Sequence, residues 1–526
     1  MNAGREITPA ASTGRERSAR RKLFDLHSWL GFNLALFMLL VVFTGTFAVI
    51  ANEIDWLVEP KLRASSGVAV ADWDRLEAAV REAAPGHTLG ALGLGEEPYL
   101  AHRATMLDEN GRRYFLLIDP VSLTANGAIG TLTVQRFFRD LHRYLFMPSI
   151  IGLPLVTTMA VVLLISLYTG LKTVRNWRTV ATRVRFSKGA RVALGDFHKA
   201  AGLWSIWFFV LIIATSFWYF AELVAYIVDD GFEPQRPGPT LEQRASYAPV
   251  SPTAGAGELV RAAQAALPGL EARQIYFSLR LDQASTVLGR KDDPLVRHRA
   301  NRVFLDPVSA EVIRVQRSPE LSWPAYLNEI ADPLHFGSFG GLLTKLIWFV
   351  FGLTMLSLTL TGVWLTWRRL KSRAPTTAQY AFLPLLLVVT AAGVPYVQRH
   401  LDDRVSPHRL PLATAEAAGM TLTPALVTNA AGAISGAVEI DVASRAGRPN
   451  IADVEVVLQD GAGATLATTQ TRPAFLGQRL PLRAALPVAE LRGAMALELR
   501  LNFGTDATPP IVARFPLRLP VADAGR

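Results

Sequence analysis

Four of the nine histidines in this chain stand at the ends of long uncharged segments. They are His27, His142, His198 and His335. Imidazole is a common ligand for metal ions and for haem iron, so histidines at such positions are candidates for cofactor binding. The chain has no cysteine, which excludes disulfides, thiolate-bound zinc and iron–sulfur clusters but leaves histidine-bound cofactors open.

His27 and His198 share their local surroundings. Each opens an apolar segment, and each is followed four residues later by a glycine, Gly31 or Gly202. Residues four positions apart lie on one face of a helix, and glycine on that face lets a flat macrocycle approach the backbone. We therefore predict that His27 and His198 form one pair, with Gly31 and Gly202 packing against a haem.

His142 and His335 form a second group by the same criterion. Each is followed four residues later by a phenylalanine, Phe146 or Phe339. If the helix continues through both positions, the phenyl ring lies on the histidine face and packs against the edge of a haem. We therefore predict that His142 and His335 form the second pair, and that these two pairs bind two haem groups.

Two alternatives to haem remain open. In the first, each histidine is only an amphipathic side chain in the headgroup region of the membrane. In the second, the histidines bind a metal ion without porphyrin. No Asp, Glu or second His lies three or four residues after any of the four histidines, which disfavours the usual helical metal site. Arg139, Arg143, Lys199 and Lys345 are candidate partners for haem propionates, although cations at these positions also serve as membrane anchors. We predict no catalytic side chain beyond the haem ligands.

Five uncharged segments are long enough to cross a membrane. Half of the chain is hydrophobic, only 19% is charged, and the mean hydropathy is +0.24, which excludes an ordinary water-soluble enzyme. Each segment has about 18 or more residues, enough for a hydrocarbon layer of roughly 30 Å. In chain order, the predicted spans are residues 29–51, 144–171, 200–221, 346–367 and 380–397. The fifth is the shortest and contains two prolines.

The basic residues indicate how the spans are oriented. Residues 1–28, 172–199 and 367–379 together carry a net charge of +14, whereas the whole chain carries +10. Because basic loops stay in the cytoplasm, the N-terminal tail and the 172–199 loop are predicted to be cytoplasmic. Residues 52–140, 222–335 and 400–526 are then periplasmic. The membrane explains the positive charge, so a nucleic-acid partner is not expected.

The chain repeats one unit twice. In each copy a histidine opens a span, an external segment follows, a strand ends in Asp-Pro-Val-Ser, and a further histidine precedes a span that ends in Thr-Gly. The Asp-Pro-Val-Ser turns begin at Asp119 and Asp306, and the Thr-Gly ends are at Thr169 and Thr361. This pattern predicts a duplicated unit of helix, small α+β module and helix.

The C-terminal segment has no counterpart in the repeat. It contains short stretches that alternate apolar and polar residues, separated by Gly and Pro, near residues 437, 453, 497 and 511. Such a pattern favours a β-sandwich-like domain over residues 400–526. Its role cannot be read from the residues.

The repeat resembles the PepSY-associated transmembrane proteins. The likeness rests on Leu26-His27, Asp119-Pro120, Leu141-His142, Leu334-His335 and Thr361-Gly362, and extends over residues 20–372. The family includes bacterial inner-membrane proteins linked to iron uptake and di-haem ferric-siderophore reductases. The resemblance therefore implies PepSY-like external modules, a four-helix bundle that binds two b haems, and a location in the bacterial inner membrane. The fifth span and the β-rich tail depart from this pattern.

Together these observations predict a ferric-reductase-type oxidoreductase. Electrons would pass from a cytoplasmic donor through two haems to a ferric siderophore or other ferric chelate in the periplasm. The chain shows no Gly-rich dinucleotide motif and no flavin domain, so the donor is expected to be a separate molecule. A PepSY-displaying signalling or protease-modulating protein without redox activity is the alternative. A permease is disfavoured because the spans carry almost no charged or Asn/Gln side chains.

Overall fold

The computed structural model is predominantly helical in its first 401 residues and β-rich after them. It describes residues 12–67, 72–108, 112–174, 176–229, 231–232, 236–248, 250–291, 293–370, 382–401, 408–428, 434–444, 447–471, 479–487, 494–503 and 509–517. Parts of the predicted tail 1–28, of the span 380–397 and of the domain 400–526 therefore lie outside the described residues. The helices are α1 Ser12–Asn33, α2 Ala35–Val49, α3 Ala51–Val58, α4 Trp73–Ala83, α5 Val134–Tyr144, α6 Ser149–Thr173, α7 Trp177–Thr182, α8 Ala190–Trp204, α9 Ile206–Asp229, α10 Leu241–Ala245, α11 Ala256–Ala266, α12 Trp323–Phe336, α13 Gly341–Leu370 and α14 Phe382–Leu401.

Among the residues that the structure describes, three helices are long and apolar enough to cross a membrane: Ser149–Thr173, Ile206–Val228 and Ser338–Arg369. A fourth candidate is the pair α1 and α2, which bend by 66° at one residue, Leu34. The prediction of one unbroken first span over residues 29–51 is therefore wrong, because the helix breaks at Leu34. The third span is also interrupted, at Ser205 between α8 and α9. His27 and His198 each lie on the helix that precedes the break.

The helices of the two repeats pack in equivalent ways. α2 packs against α13, and the matching pair is α9 against α6. In the same manner α1 packs on α6 and α8 on α13, while α5 packs on α2 and α12 on α9. Each short helix that carries a histidine is therefore held against an apolar helix.

The two external modules share one antiparallel sheet of eight strands, in the order β4-β3-β2-β1-β6-β7-β8-β9. The repeat predicts one small α+β module in each copy, and in the structure the two modules are joined: β1 pairs directly with β6, and α4 and α11 pack with the strands in one hydrophobic cluster. Asp119 and Asp306 each accept backbone hydrogen bonds two and three residues ahead, as predicted for the Asp-Pro-Val-Ser turns. The strands are β1 Thr88–Gly93, β2 His102–Leu107, β3 Arg113–Ile118, β4 Ala125–Ile129, β5 Val250–Ser251, β6 Glu271–Tyr276, β7 Ser285–Arg290, β8 Asn301–Leu305 and β9 Val312–Gln316.

The shared sheet is attached to one end of the helices, which we call the module end. The backbone N–H groups of Val134 and Gln135, at the start of α5, donate to the Asp55 carboxylate at 2.6 and 2.9 Å. On α13, the ammonium of Lys345 lies 3.1 Å from Glu53 and 3.5 Å from Glu97, which follows β1. The opposite end, which carries residues 176–189, is called the loop end.

The C-terminal region forms two antiparallel sheets that share one core, as expected for a β-sandwich. One sheet has the order β10-β12-β13-β17, with β11 paired to β12, and the other has the order β16-β15-β18-β19. The predicted strands near residues 437, 453, 497 and 511 fall in β13, β15, β18 and β19. The ranges are β10 His408–Pro411, β11 Ala415–Ala417, β12 Met420–Thr428, β13 Ile434–Ala443, β14 Arg448–Pro449, β15 Ile451–Gln459, β16 Thr465–Thr471, β17 Arg479–Ala485, β18 Ala496–Phe503 and β19 Ile511–Pro516.

α14 lies between α13 and the sandwich in the chain. Val389 packs in a cluster with side chains of α2, α5 and α6, and the Tyr396 hydroxyl donates to Asp140 on α5 at the module end. The sandwich contacts the second module, because β14 pairs with β5. α14 has 20 residues, or about 30 Å of helix, and the stretch of it whose side chains the structure describes, Leu387–Val397, is apolar.

Candidate histidine sites

The structure places the four histidines in two pairs, each with one member from each repeat. His27 on α1 faces His198 on α8, with ring centroids 6.2 Å apart and ring planes at 81°. His142 on α5 faces His335 on α12, also with centroids 6.2 Å apart, and with ring planes at 40°. These are the two pairs that the sequence predicts.

The spacing within each pair is the spacing of two imidazoles on opposite sides of one metal ion. A histidine nitrogen binds a first-row metal ion at about 2.0–2.1 Å and lies about 1.1 Å from its ring centroid, so the two centroids would be about 6.3 Å apart. Both observed distances are 6.2 Å. Two facing imidazoles at this distance can serve as the two axial ligands of one iron.

Each of the four rings is oriented by a contact at Nδ1. In chain order, the Nδ1 contacts are His27 to the Ser166 carbonyl at 3.0 Å, His142 to the Val41 carbonyl at 2.9 Å, His198 to the Thr361 hydroxyl at 2.9 Å and His335 to the Thr215 hydroxyl at 2.7 Å. An acceptor at this position keeps the proton on Nδ1 and leaves the lone pair on Nε2. This is the usual arrangement of a metal-binding histidine.

Two threonines near the module-end pair were not predicted from the sequence. Thr215 accepts from His335, while Thr44 lies 3.4 Å from Nδ1 of His142, a longer contact than the Val41 carbonyl makes. Thr44 and Thr215 are 171 residues apart, the same separation as His27 and His198. Extending the repeat comparison into the middle of the spans would have found them.

Glycines lie beside three of the rings, but they are not the predicted ones. A Cβ atom at Gly170 or Gly362 would lie 3.4 Å from Cε1 of His27 or His198, and one at Gly45 would lie 2.6 Å from Cε1 of His142. These glycines belong to the neighbouring helix, which is why i+4 spacing on the histidine helix does not reveal them. At the predicted Gly31 and Gly202, a Cβ atom would meet no atom within 4 Å. Packing of these two against a haem stays a prediction.

The expected positions of Phe146 and Phe339 are wrong, because neither continues the helix of its histidine. α5 ends at Tyr144, and both Leu145 and Phe146 have positive φ; α12 ends at Phe336, before Gly337 with φ of 68°. Phe146 stacks on Tyr396 of α14 instead, and Phe339 packs edge-on against Trp348. Neither of these two described rings is among the residues that line the cavity at the module end.

A partly open cavity of about 120 Å³ lies beside His142 and His335. Most of its lining is apolar, and it includes Met38, Val41, Val42, Val156, Met159, Leu163, Phe208, Ile212, Trp348 and Met355. The polar lining is concentrated at the module end, where Arg139, Arg143, Tyr219 and Asp332 meet.

The predicted cations divide into two groups. Arg139 and Arg143 line the cavity, and Nε of Arg143 is buried without a hydrogen-bond partner. Lys199 is exposed on α8, next to His198. Lys345 binds Glu53 and Glu97 and is not among the residues that line this cavity, and its role toward a propionate stays a prediction.

The described part of the chain contains no group of three or more His, Cys, Asp or Glu side chains that could hold a metal ion. Each site therefore offers two imidazoles, which suits a macrocycle that supplies the remaining ligands. A family model described as "PepSY-associated TM region" matches residues 24–369. This chain belongs to that family. A comparison with curated proteins finds no match.

The match to the PepSY-associated TM region includes all four histidines and every helix from the end of α1 to α13. It ends before α14 and the sandwich. Both are additions to the family unit in this chain, in agreement with the expected departure from the family pattern. Together with the apolar helices, the family identifies a membrane protein.

An acidic residue beside His335 was not predicted from the sequence, because it precedes the histidine instead of following it. Asp332 lies three residues before His335 on α12 and accepts from the Tyr219 hydroxyl at 2.6 Å and from Arg297 at 2.6 Å. Burial raises the pKa of Asp332, but the charge of Arg297 and the Tyr219 hydrogen bond outweigh burial, so that its pKa is lowered overall. Arg297 also binds Glu329 at 3.0 Å. This network fixes α12, and with it His335, on the shared sheet.

Proposed function

We propose that this PepSY-associated membrane protein binds two b haems in its helical bundle and carries electrons across the bacterial inner membrane to a ferric siderophore or another ferric chelate. The observation that carries the proposal is the geometry of the two histidine pairs. In both, the imidazoles face each other at the separation needed for one iron, and Nδ1 is bound in a way that leaves Nε2 as the ligand atom.

The cavity beside His142 and His335 supports haem over a bare metal ion. Its apolar lining suits a porphyrin, and the buried, unpartnered Nε of Arg143 suits a carboxylate such as a propionate. A bound haem would supply an iron that exchanges single electrons. His27 with His198, and His142 with His335, would each hold one haem iron through two imidazoles, so that neither O₂ nor chelated iron would bind the haem iron directly.

The positions of the two sites suggest the direction of transfer. His27 and His198 lie toward the loop end, where Lys199, Arg185 and Lys188 are exposed, and basic loops remain in the cytoplasm. His142 and His335 lie toward the module end. An electron from a cytoplasmic donor would therefore leave next to the modules, where Arg139 and Arg143 favour an acidic chelate. One electron converts Fe(III) in the chelate to Fe(II), which hard oxygen ligands hold less tightly.

The deciding measurement is the absorbance of the full chain purified in detergent. We expect a Soret band, sharp α and β bands on reduction with dithionite, and two haems per chain by pyridine haemochrome assay. Carbon monoxide should leave the reduced spectrum nearly unchanged. A chain without haem would contradict the proposal and favour the signalling alternative.

Single substitutions test the pairing. His27→Ala and His198→Ala should each remove the same spectral component, and His142→Ala and His335→Ala the other, so that the remaining haem reports correct folding. The acceptor is tested by mixing reduced protein anaerobically with ferric siderophores while following haem reoxidation and Fe(II) capture. Reoxidation by none of them, with both haems intact, would refute ferric reduction but leave electron transfer.

A further inference from the structure

We infer that Thr215 is the residue that positions His335 for haem binding, and that its repeat-matched counterpart Thr44 has no such role for His142. The inference rests on the proposed haem function and deepens it. It assigns different parts to two threonines that occupy equivalent places in the two halves of the molecule.

The two histidines of the module-end pair use different acceptors. Nδ1 of His142 lies 2.9 Å from the Val41 carbonyl oxygen, and the Thr44 hydroxyl is farther away at 3.4 Å. Nδ1 of His335 lies 2.7 Å from the Thr215 hydroxyl, and among the residues that the structure describes no carbonyl takes this place. The orientation of His335 therefore depends on a side chain, and that of His142 on the backbone.

The Thr215 hydroxyl is constrained to accept from His335. Its own proton is directed to the Leu211 carbonyl at 2.9 Å, within α9. The oxygen lone pair is then free to accept from Nδ1–H, and a hydroxyl in this state fixes both the ring angle and the tautomer. Other groups near the ring do not replace it, because the Tyr219 hydroxyl is bound to Asp332.

Thr44 provides a matched control. It is buried like Thr215, and its hydroxyl likewise donates to the carbonyl four residues earlier, here Leu40 at 2.8 Å. Replacing either threonine by valine preserves shape and removes one hydroxyl. At position 44 the Val41 carbonyl still accepts from His142, whereas at position 215 the Nδ1–H of His335 is left buried without an acceptor.

The expected consequence is confined to one haem. An acceptor at Nδ1–H makes the imidazole a stronger donor to iron and favours the ferric state. Thr215→Val should therefore raise the reduction potential of the module-end haem. It should also accelerate the transfer of this haem to added apomyoglobin by about 10- to 100-fold, the range typical for the loss of a hydrogen bond to a metal-binding histidine. Thr215→Ser should restore both values, because serine keeps the hydroxyl.

The experiment compares wild type, Thr215→Val, Thr215→Ser and Thr44→Val as full chains purified in detergent. Spectroelectrochemical titration gives both potentials, and the His27/His198 haem shows that each variant is folded. Equal effects of Thr215→Val and Thr44→Val, or a potential unchanged in Thr215→Val, would overturn the inference. A wild-type protein without haem would instead refute the proposed function.

Discussion

The backbone of Gly45 on α2 lies directly against the imidazole of His142, and a Cβ atom at this position would lie 2.6 Å from Cε1 and 2.9 Å from Nδ1 of the ring. No real Cβ contact is that short, so any side chain here forces the ring to move. The repeat-matched position, Ser216, carries a Cβ and lines the cavity. The need for glycine at position 45 therefore comes from the close approach of His142 and not from the repeat.

Gly45→Ala should displace His142 and lower the haem content from two per chain toward one. The pyridine haemochrome assay measures the loss, and the remaining spectrum should match that of His142→Ala. Gly195→Ala is the control, since a Cβ atom at this helical position meets nothing within 4 Å. Full haem content in Gly45→Ala would show that the ring is not held where the structure places it.

Arg297→Ala should destabilise the protein and loosen the haem at His335. Arg297 binds two carboxylates, and its removal leaves Glu329 and Asp332, with side-chain exposures of 3% and 21%, without this cation. Breaking a buried ion pair typically lowers the free energy of unfolding by about 3 kcal/mol. Thermal unfolding in detergent and haem loss provide the measurements.

The exposed pair Arg317–Glu320, at 3.0 Å, is the reference for this variant. Such surface pairs contribute about 0–1 kcal/mol, so Arg317→Ala should unfold close to the wild-type temperature. Equal decreases of the unfolding temperature in Arg297→Ala and Arg317→Ala would indicate that the Arg297 ion pairs do not hold α12 in place.

The sequence predicts the features that depend on local pattern. Hydropathy identifies the apolar helices, the Asp-Pro-Val-Ser turns recur as aspartate-capped turns, and period-two alternation identifies strands such as β15 and β18. The pairing of His27 with His198 also follows from local sequence together with topology, because matched positions of a repeat recur at the same membrane face.

The features that the sequence does not predict depend on contacts between distant residues. The register that pairs Leu92 of β1 with Ile275 of β6 joins the two modules, and nothing in either strand alone indicates it. Phe146 has a positive φ, and its ring packs on Tyr396, which belongs to a helix outside the family unit. The glycines beside the imidazoles lie on neighbouring helices, so helical spacing alone points to the wrong ones.

The loop end should lose stability in acid through Asp196 on α8. The Arg185 side chain donates two hydrogen bonds to this carboxylate, at 2.7 and 2.8 Å, and lowers the pKa of Asp196 to about 2. The unfolded value is about 3.9, so the stabilisation is complete above about pH 4 and is lost as the pH falls toward 2. Thermal unfolding of wild type and Asp196→Asn should differ at pH 6, and the difference should shrink as the pH falls below about 4 and vanish only below about pH 2. A difference that stays undiminished between pH 6 and pH 2 would contradict this ion pair.

The shared sheet and the β-sandwich should lie on the same side of the membrane. β14 of the sandwich pairs with β5 of the second module, and Tyr396 of α14 donates to Asp140 at the module end. The chain has no cysteine, so single cysteines can be placed without background. Suitable exposed sites are Glu82 in the first module, Ala462 in the sandwich and Ser187 at the loop end.

A membrane-impermeant maleimide added to intact spheroplasts should label Glu82→Cys and Ala462→Cys, whereas Ser187→Cys should react only after the membrane is opened. The reasoning is geometric: a sandwich that contacts the modules cannot be separated from them by a bilayer, and α14, with about 30 Å of helix, is then required to cross. Labelling of Ala462→Cys together with Ser187→Cys, and not with Glu82→Cys, would show that α14 does not span and that the β14–β5 pairing does not form in the cell.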